Sequence, residues 1–290
     1  YLGGMARHPP MKKYNIPIYI SDNASVDDTY LTVKKWNKDY EFLFYSKNQK
    51  NVDTDSNVAI ALKIPTTKYI WLLGDSSKLS SNIFNEIANL VIDNYDLIVL
   101  NDNARVDFVE TQVVDDKFFL LSELGWTMTQ MSSLIFNRNI IINSNFQRYE
   151  YTSFRHLGII FEYFAYKDNI LVSWNQHLSV ERIQIDGIKK KSWQKDTFKI
   201  WIEKWPNFVL SLPPVYNIGL KLKMISLHNN KTKLFSISNL LLLRMNGHYN
   251  LKVLFSYWKY FQIALGKGSN TKFLLIAIFP KKIIKLFLFL

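Results

Sequence analysis

The sequence predicts an α/β protein, a mainly parallel sheet flanked by helices, with a basic helical extension at its C-terminal end. Three observations predict it. Short apolar runs alternate with amphipathic stretches through the first hundred residues, the rhythm of parallel strands joined by crossover helices. Of 290 residues, 48% are hydrophobic and 21% charged, which supplies a packed core and excludes a disordered chain. The charge is unevenly divided: residues 1–216 hold 24 Lys+Arg and 24 Asp+Glu, whereas residues 217–290 hold 12 Lys+Arg and no acid. The absence of cysteine excludes a disulfide scaffold, a zinc–thiolate site and a cysteine nucleophile.

Each element has its own signal. Ile16–Ile20 is a short β-rich apolar run, read as a buried strand ending at Asp22. Asp27, Asp28 and Thr29 open a helix to about Asn37, with Leu31, Val33 and Trp36 as its apolar positions. Glu41–Tyr45 (EFLFY) is a second strand and Ser56–Leu62 a short helix. Tyr69–Leu73 (YIWLL) is a third strand, stopped by Gly74-Asp75. Ser80 or Ser81 caps a helix through Val91, which sets Ile83, Phe84, Ile87 and Leu90 on one face. Leu97–Leu100 is a fourth strand. Farther on, Asp115–Leu124 reads as a helix, Ser132–Asn137 as a strand and Thr152–Tyr166 as an aromatic-rich helix. Trp193–Trp205 is a helix whose aromatic stripe reads as core. Pro213-Pro214 marks the expected boundary between a domain of residues 1–214, with halves of about 1–103 and 104–214, and an extension of residues 215–290.

In an open α/β sheet, ligands sit beyond the carboxyl ends of the strands. Two such ends carry acids here: Asp22-Asn23-Ala24-Ser25-Val26-Asp27-Asp28-Thr29, and Gly74-Asp75-Ser76-Ser77. Carboxylates there accept hydrogen bonds from a nucleobase or ribose, or hold a divalent cation that bridges phosphates. Asp27 and Thr29 also suit the capping of the helix they open.

The run IYISDNASVDDT, then Asn57, then KYIWLLGDSS resembles the nucleotide-binding half of family 2 glycosyltransferases with the GT-A fold, a Rossmann-like sheet. The likeness is greatest to the bacterial branch that builds surface polysaccharides, and GWTMTQMSSLIFNR and YTSFRH resemble its acceptor half. The resemblance implies a transferase that moves a sugar from a nucleoside-diphosphate sugar to a saccharide or lipid-linked acceptor. It places Asp22, Asn23, Asp27 and Asn57 around the nucleotide, with Asp22 on the base. It places Asp75 on the ribose or on a divalent cation, Mg or Mn. The family's third acid, its usual direct metal ligand, is Ser77 here, and the middle one is Ser76. Asp75 alone holding the metal, a metal-independent enzyme and a degenerate domain that binds without turnover all stay open. The family's opening strand and turn would lie before Tyr1, so the chain is expected to be a fragment, with Tyr1–His8 the remnant of the helix that follows.

Transfer to a hydroxyl needs a base for its proton. Near the start of the acceptor-side helix the sequence offers His156 first, for its near-neutral pKa, then Glu150 and Glu162. Lys189-Lys190-Lys191 reads as a solvated run or as a basic loop over the diphosphate.

Phe273–Leu290 is apolar but interrupted by Pro280, Lys281, Lys282 and Lys285, too broken to cross a bilayer. On a helix begun at Pro280 the three lysines fall within an arc of about 100°. That pattern suits an interfacial helix on anionic lipid, and hence a cytoplasmic protein peripheral on the inner face of the plasma membrane. Nucleic acid is not an expected partner, because the tail's aromatics lie among aliphatics and form no recognised module.

Overall fold

The computed structural model describes residues 13–102, 106–107, 109–182, 192–265, 271–281 and 283–284. The chain forms two compact units. One runs to Lys117 and resumes over Thr127–Gln184; the other takes Phe118–Trp126 and the chain from Ile185 onward. The expected division at 214 does not coincide with this one. Pro213 and Pro214 join two helices of the second unit, where proline ends one helix without separating domains.

The first unit begins with the predicted alternation. Strand β1 (Ile18–Asp22) pairs in parallel with β2 (Leu43–Lys47) across helix α1 (Thr29–Asn37), in the register Ile18↔Leu43 to Asp22↔Lys47. Helix α2 (Thr54–Lys63) follows, its first turn fixed by Asp53, which accepts from the Ser56 amide at 3.1 Å. Then come β3 (Tyr69–Trp71), β4 (Ser77–Lys78), α3 (Ile83–Leu90), β5 (Leu97–Asp102), β6 (Gln112–Val114), β7 (Leu134–Asn137), the short helix α4 (Arg138–Ile142), α5 (Arg155–Ala165) and β8 (Val172–Arg182).

The α/β class stands, but the sheet is less parallel than expected and is split. The strands β3-β7-β5-β8-β4 form one path of a mixed sheet, with β6 also on β8. Only β5 and β8 pair in parallel there; β7 runs antiparallel to both β3 and β5. Strands β1 and β2 form a separate two-stranded sheet. A common core unites them: Ile18 and Leu43 of the small sheet cluster with Ile98, Leu100 and Ile135 of the large one and with Ile83 and Phe84 of α3. Burial of apolar surface therefore joins the two sheets where no backbone ladder does. Helix α5 approaches its neighbours closely at Gly158, where a Cβ would stand 2.2 Å from Cγ of the buried Tyr149 ring. Only glycine admits that approach.

The second unit is helical: α6 (Trp205–Ser211), α7 (Ile218–Thr232), α8 (Ile237–Met245), α9 (Leu251–Tyr257), α10 (Phe261–Leu265) and α11 (Thr271–Ile278). Its core is aromatic, with Phe198 and Tyr249 stacked at 4.7 Å and Phe261 edge-on to Phe273. The aromatic stripe of residues 193–205 serves that packing, with Phe198, Ile202 and Trp205 all buried. Tyr1–His8, Lys189-Lys190-Lys191, Lys282 and residues 285–290 lie outside the described residues, so most of the helix expected from Pro280 does too.

Candidate functional site

The site is built where β1 ends. Ala24 adopts a left-handed backbone (φ 59°), which turns the chain so that the Ser25 amide donates back to Asp22 Oδ1 at 2.8 Å. Across the small sheet the Tyr45 hydroxyl donates to Asp22 Oδ2 at 2.5 Å, and Lys47 reaches over to the Ser25 carbonyl at 2.8 Å. Asp22 is only 4% exposed. Burial alone would raise its pKa, but the hydrogen bonds from Ser25 and Tyr45, with the Lys47 charge, outweigh that and hold the carboxyl below its ordinary value. The same bond to Asp22 pushes the Tyr45 hydroxyl up to about 12, with desolvation adding to it. Asp22 is thus a fixed carboxylate, with lone pairs remaining on both oxygens.

An asparagine network extends the site. Asn23 bridges to the backbone of Val52, donating to its carbonyl at 2.7 Å and accepting from its amide at 2.9 Å. Asn48 donates to Asn23 Oδ1 at 3.1 Å and to Asn57 Oδ1 at 3.0 Å, and the Ser21 hydroxyl adds a bond to Asn57 at 3.3 Å. These bonds tie the end of β1, the loop before α2 and the first turns of α2 into one rim. Asp55, buried in that helix, accepts from the Ser153 amide at 2.5 Å. That bond joins the rim to the loop before α5. Tyr151 and Ser153 of this loop are both left-handed (φ 63° and 71°), a costly backbone for residues with a Cβ. Glu150 opens the loop, and its Oε1 lies 3.2 Å from Nη2 of the buried Arg155.

Of the residues expected at the site, Asp22, Asn23 and Asn57 are brought together. Asp27 is not part of that network; it is exposed and turned to the start of α1, accepting from the Thr29 amide at 3.0 Å and hydroxyl at 2.5 Å. Asp75 is exposed beyond β3, so Asp22 and Asp75 end strands of two separate sheets rather than one. Ser77 is not placed as a metal ligand. It is buried, and its hydroxyl pairs with that of Ser132 at 2.8 Å, while the Gly74 amide donates to Ser132 at 3.1 Å. Among the described residues no group of three or more His, Asp and Glu side chains could hold a metal. Asp75 is the one carboxylate at the positions of the triplet. Tyr45, Asn48 and Asp55 join the expected residues through contacts between distant segments, which no local motif announces, and Arg155 joins them through its ion pair with Glu150. A cavity of about 470 Å³ lined by Leu62, Lys63, Arg138 and Phe146 involves none of these residues.

His156 is the largest departure. It is 3% exposed inside α5, held by backbone hydrogen bonds to Thr129 and Met128. Desolvation pushes its pKa down to about 4, against the raising effect of those bonds. A neutral ring sealed in the core has no reach to an acceptor hydroxyl. Its consequence is for stability. Unfolded, the ring titrates near its ordinary 6.5, so between about 6.5 and 4 the unfolded chain binds a proton that the folded chain does not. Stability is expected to be full above that window and to decline as the pH falls through it. Urea unfolding at a series of pH values should show this slope, and His156→Gln should flatten it; an unchanged slope would place the acid sensitivity elsewhere.

No family model matches the chain. Among solved structures, TarS 1-349 of S. aureus superposes with a TM-score of 0.56 at 12% identity, covering 96% of this chain and 76% of that one. The mannosyltransferase PcManGT of Pyrobaculum calidifontis, in complex with GDP-Man and Mn2+, superposes at 0.51 with 11% identity, covering 97% and 83%. The fold is a glycosyltransferase fold of GT-A type. A further TarS structure, in complex with UDP, superposes at 0.51, with 12% identity, over 82% of this chain and 68% of that one. In sequence, the abequosyltransferase RfbV of Salmonella typhimurium is 28% identical over 134 residues, which are 44% of this chain and 38% of that protein. The match therefore spans well under half the length of that relative.

Proposed function

We propose that this chain is a glycosyltransferase that moves a sugar from a nucleoside-diphosphate donor to a saccharide acceptor in the synthesis of a bacterial surface polysaccharide. The observation that carries the reading is the fixed Asp22 carboxylate at the end of β1, clamped by Tyr45 and Ser25 beside the Asn23–Asn48–Asn57 network. Such a rim suits a nucleotide: Asp22 accepts from an N–H of the base, and Asn57, whose oxygen is already engaged, offers its NH2 to a donor oxygen. The similar proteins support the same chemistry: TarS binds UDP, PcManGT binds GDP-Man, and RfbV is an abequosyltransferase.

In the transfer, the acceptor oxygen bonds to the anomeric carbon as the bond from that carbon to the diphosphate breaks, and the diphosphate leaves with the electron pair. Glu150 is the carboxylate we assign to take the hydroxyl proton. It is the exposed acid at the strained loop, while His156 is enclosed. Family chemistry implies a divalent cation that neutralises the departing diphosphate. Here Asp75 would be its one carboxylate from the triplet, with phosphate oxygens and water completing the shell. The acceptor class we favour is lipid-linked, at the cytoplasmic face of the plasma membrane. No helix among the described residues is long and apolar enough to cross a membrane.

A second reading, a GT-A-type domain that binds nucleotide without turnover, is favoured by the buried Ser77–Ser132 contact where the family keeps an acid. One experiment separates the two. The chain is incubated with a panel of nucleoside-diphosphate sugars, Mn2+ and a panel of free and lipid-linked saccharide acceptors, bound nucleotide is measured by calorimetry, and released nucleoside diphosphate by mass spectrometry. Binding with release supports the transferase; binding without release supports the second reading; no binding sinks both.

A further inference from the structure

We propose that the face formed by α9 and α11 seats on an anionic lipid bilayer. Two apolar stripes make this face. Along α9 and the turn continuing it, Leu251, Phe255 and Trp258 recur at helical spacing, and all three are exposed, Phe255 at 63% and Trp258 at 46%. Their rings stand 6.4 Å apart. On α11 the inner side, Phe273, Ile276 and Ala277, is buried, while Leu274, Leu275 and Ile278 are exposed, and Phe279 just beyond is exposed as well. The stripes meet. Leu251 and Lys252 of α9 line one open groove with Ile278 of α11 and Arg244 of α8, and Arg244 Nε donates to the Phe279 carbonyl at 3.2 Å. Single exposed leucines are ordinary on a soluble protein, but joined apolar stripes mark a surface that meets a partner.

Charge names the partner. The same elements carry the exposed cations Lys252, Lys259, Lys272 and Lys281, and Lys281 Nζ lies 3.5 Å from where a Gly247 Cβ would stand, beside the turn that leads into α9. Residues 217–290 contain no acid, so nothing in this stretch neutralises them. Aliphatic and aromatic side chains, a tryptophan among them, set among lysines with no carboxylate suit the headgroup boundary of an anionic leaflet. In a two-fold dimer through this face the cations would meet one another, which is unfavourable. The segment expected to dock was residues 273–290; the described part of it contributes one of the two stripes, and α9 supplies the other.

The test is co-sedimentation of the full chain with phosphatidylcholine vesicles, with and without phosphatidylglycerol, at low and high salt. Binding should require phosphatidylglycerol and weaken as salt screens the lysines. Lys252→Glu/Lys281→Glu should lower the partition on the order of tenfold or more. Phe255→Ser/Trp258→Ser should lower it comparably and leave the residual binding more salt-sensitive. These side chains are exposed, so the variants should melt like the parent. Equal binding to vesicles lacking phosphatidylglycerol, or unchanged partition in both variants, would overturn the proposal. So would sedimentation equilibrium showing a dimer that either variant dissociates, which would assign the face to a second copy. Nucleotide binding in the same variants reads the transferase proposal independently.

Discussion

Asp22→Ala is expected to weaken nucleotide binding by roughly 10- to 100-fold, the loss that accompanies removal of a hydrogen bond to a charged group. The carboxylate is pre-positioned: Tyr45 and Ser25 each occupy one of its oxygens, and its pKa is held low, so it stays ionised through the neutral range. A nucleotide N–H thus meets an acceptor that needs no reorientation. Alanine also strands the Tyr45 hydroxyl and the Ser25 amide, so some stability is lost with the affinity. Asp22→Asn separates the two effects, because it keeps the volume and one acceptor oxygen but removes the charge. It should keep the melting temperature closer to the parent's and still bind nucleotide weakly. Tyr45→Phe, which leaves the carboxylate in place without its clamp, should give a smaller loss. Calorimetry with UDP and GDP, paired with thermal melts, checks the series. Parental affinity in a folded Asp22→Ala would remove Asp22, and the rim around it, from the nucleotide site.

What the sequence discloses about this fold follows from how local each signal is. Strands β1, β2, β3 and β5 and helices α1 to α3 are legible because each is a contiguous apolar run or stripe with its own stop signal. The longest strand, β8, is not. Its sequence begins Val-Ser-Trp-Asn, and the polar Ser173 and Asn175 are buried along with Val172 and Trp174. Asn175 satisfies itself on the Val99 carbonyl and on Ser173, and a register shift interrupts the pairing after Leu100. A strand with polar residues at core positions and a bulge carries no clean period for a reader to find. Strands β4 and β6 are two and three residues long, too short to have one.

The site divides on the same principle. Asp22, Asn23 and Asn57 are legible as a motif at a strand end and a helix start, but the residues that fix them are not. Tyr45 lies 23 residues from Asp22, and its role depends on the register of β1 with β2. Ser77 reads as a vacant ligand position in one dimension, yet in three its hydroxyl is bonded to a serine 55 residues away. His156 has the right intrinsic pKa for a base, and burial takes that away. Local chemistry is written in the sequence, whereas solvation is decided by the whole fold.

That distinction sets the second large effect, Glu150→Gln, which is expected to lower kcat for sugar transfer by roughly 10²- to 10⁴-fold, the range for loss of a general base. Glutamine is the informative replacement. Arg155 is buried, and its Nη2 rests on Glu150 Oε1 at 3.2 Å, so alanine would remove the acceptor as well as the charge and confound chemistry with folding. Glutamine keeps an acceptor oxygen for Arg155 but removes the charge together with the capacity to take a proton, so its melting temperature is measured beside its kcat. Donor KM should therefore change little while kcat falls, the pattern of an interaction made in the transition state. His156→Gln provides the contrast, shifting stability with pH and leaving kcat near the parent's under conditions where both are folded. If Glu150→Gln turns over at the parental rate while His156→Gln does not, the proton leaves through α5 after all, and the backbone strain at Tyr151 and Ser153 serves only to close the loop.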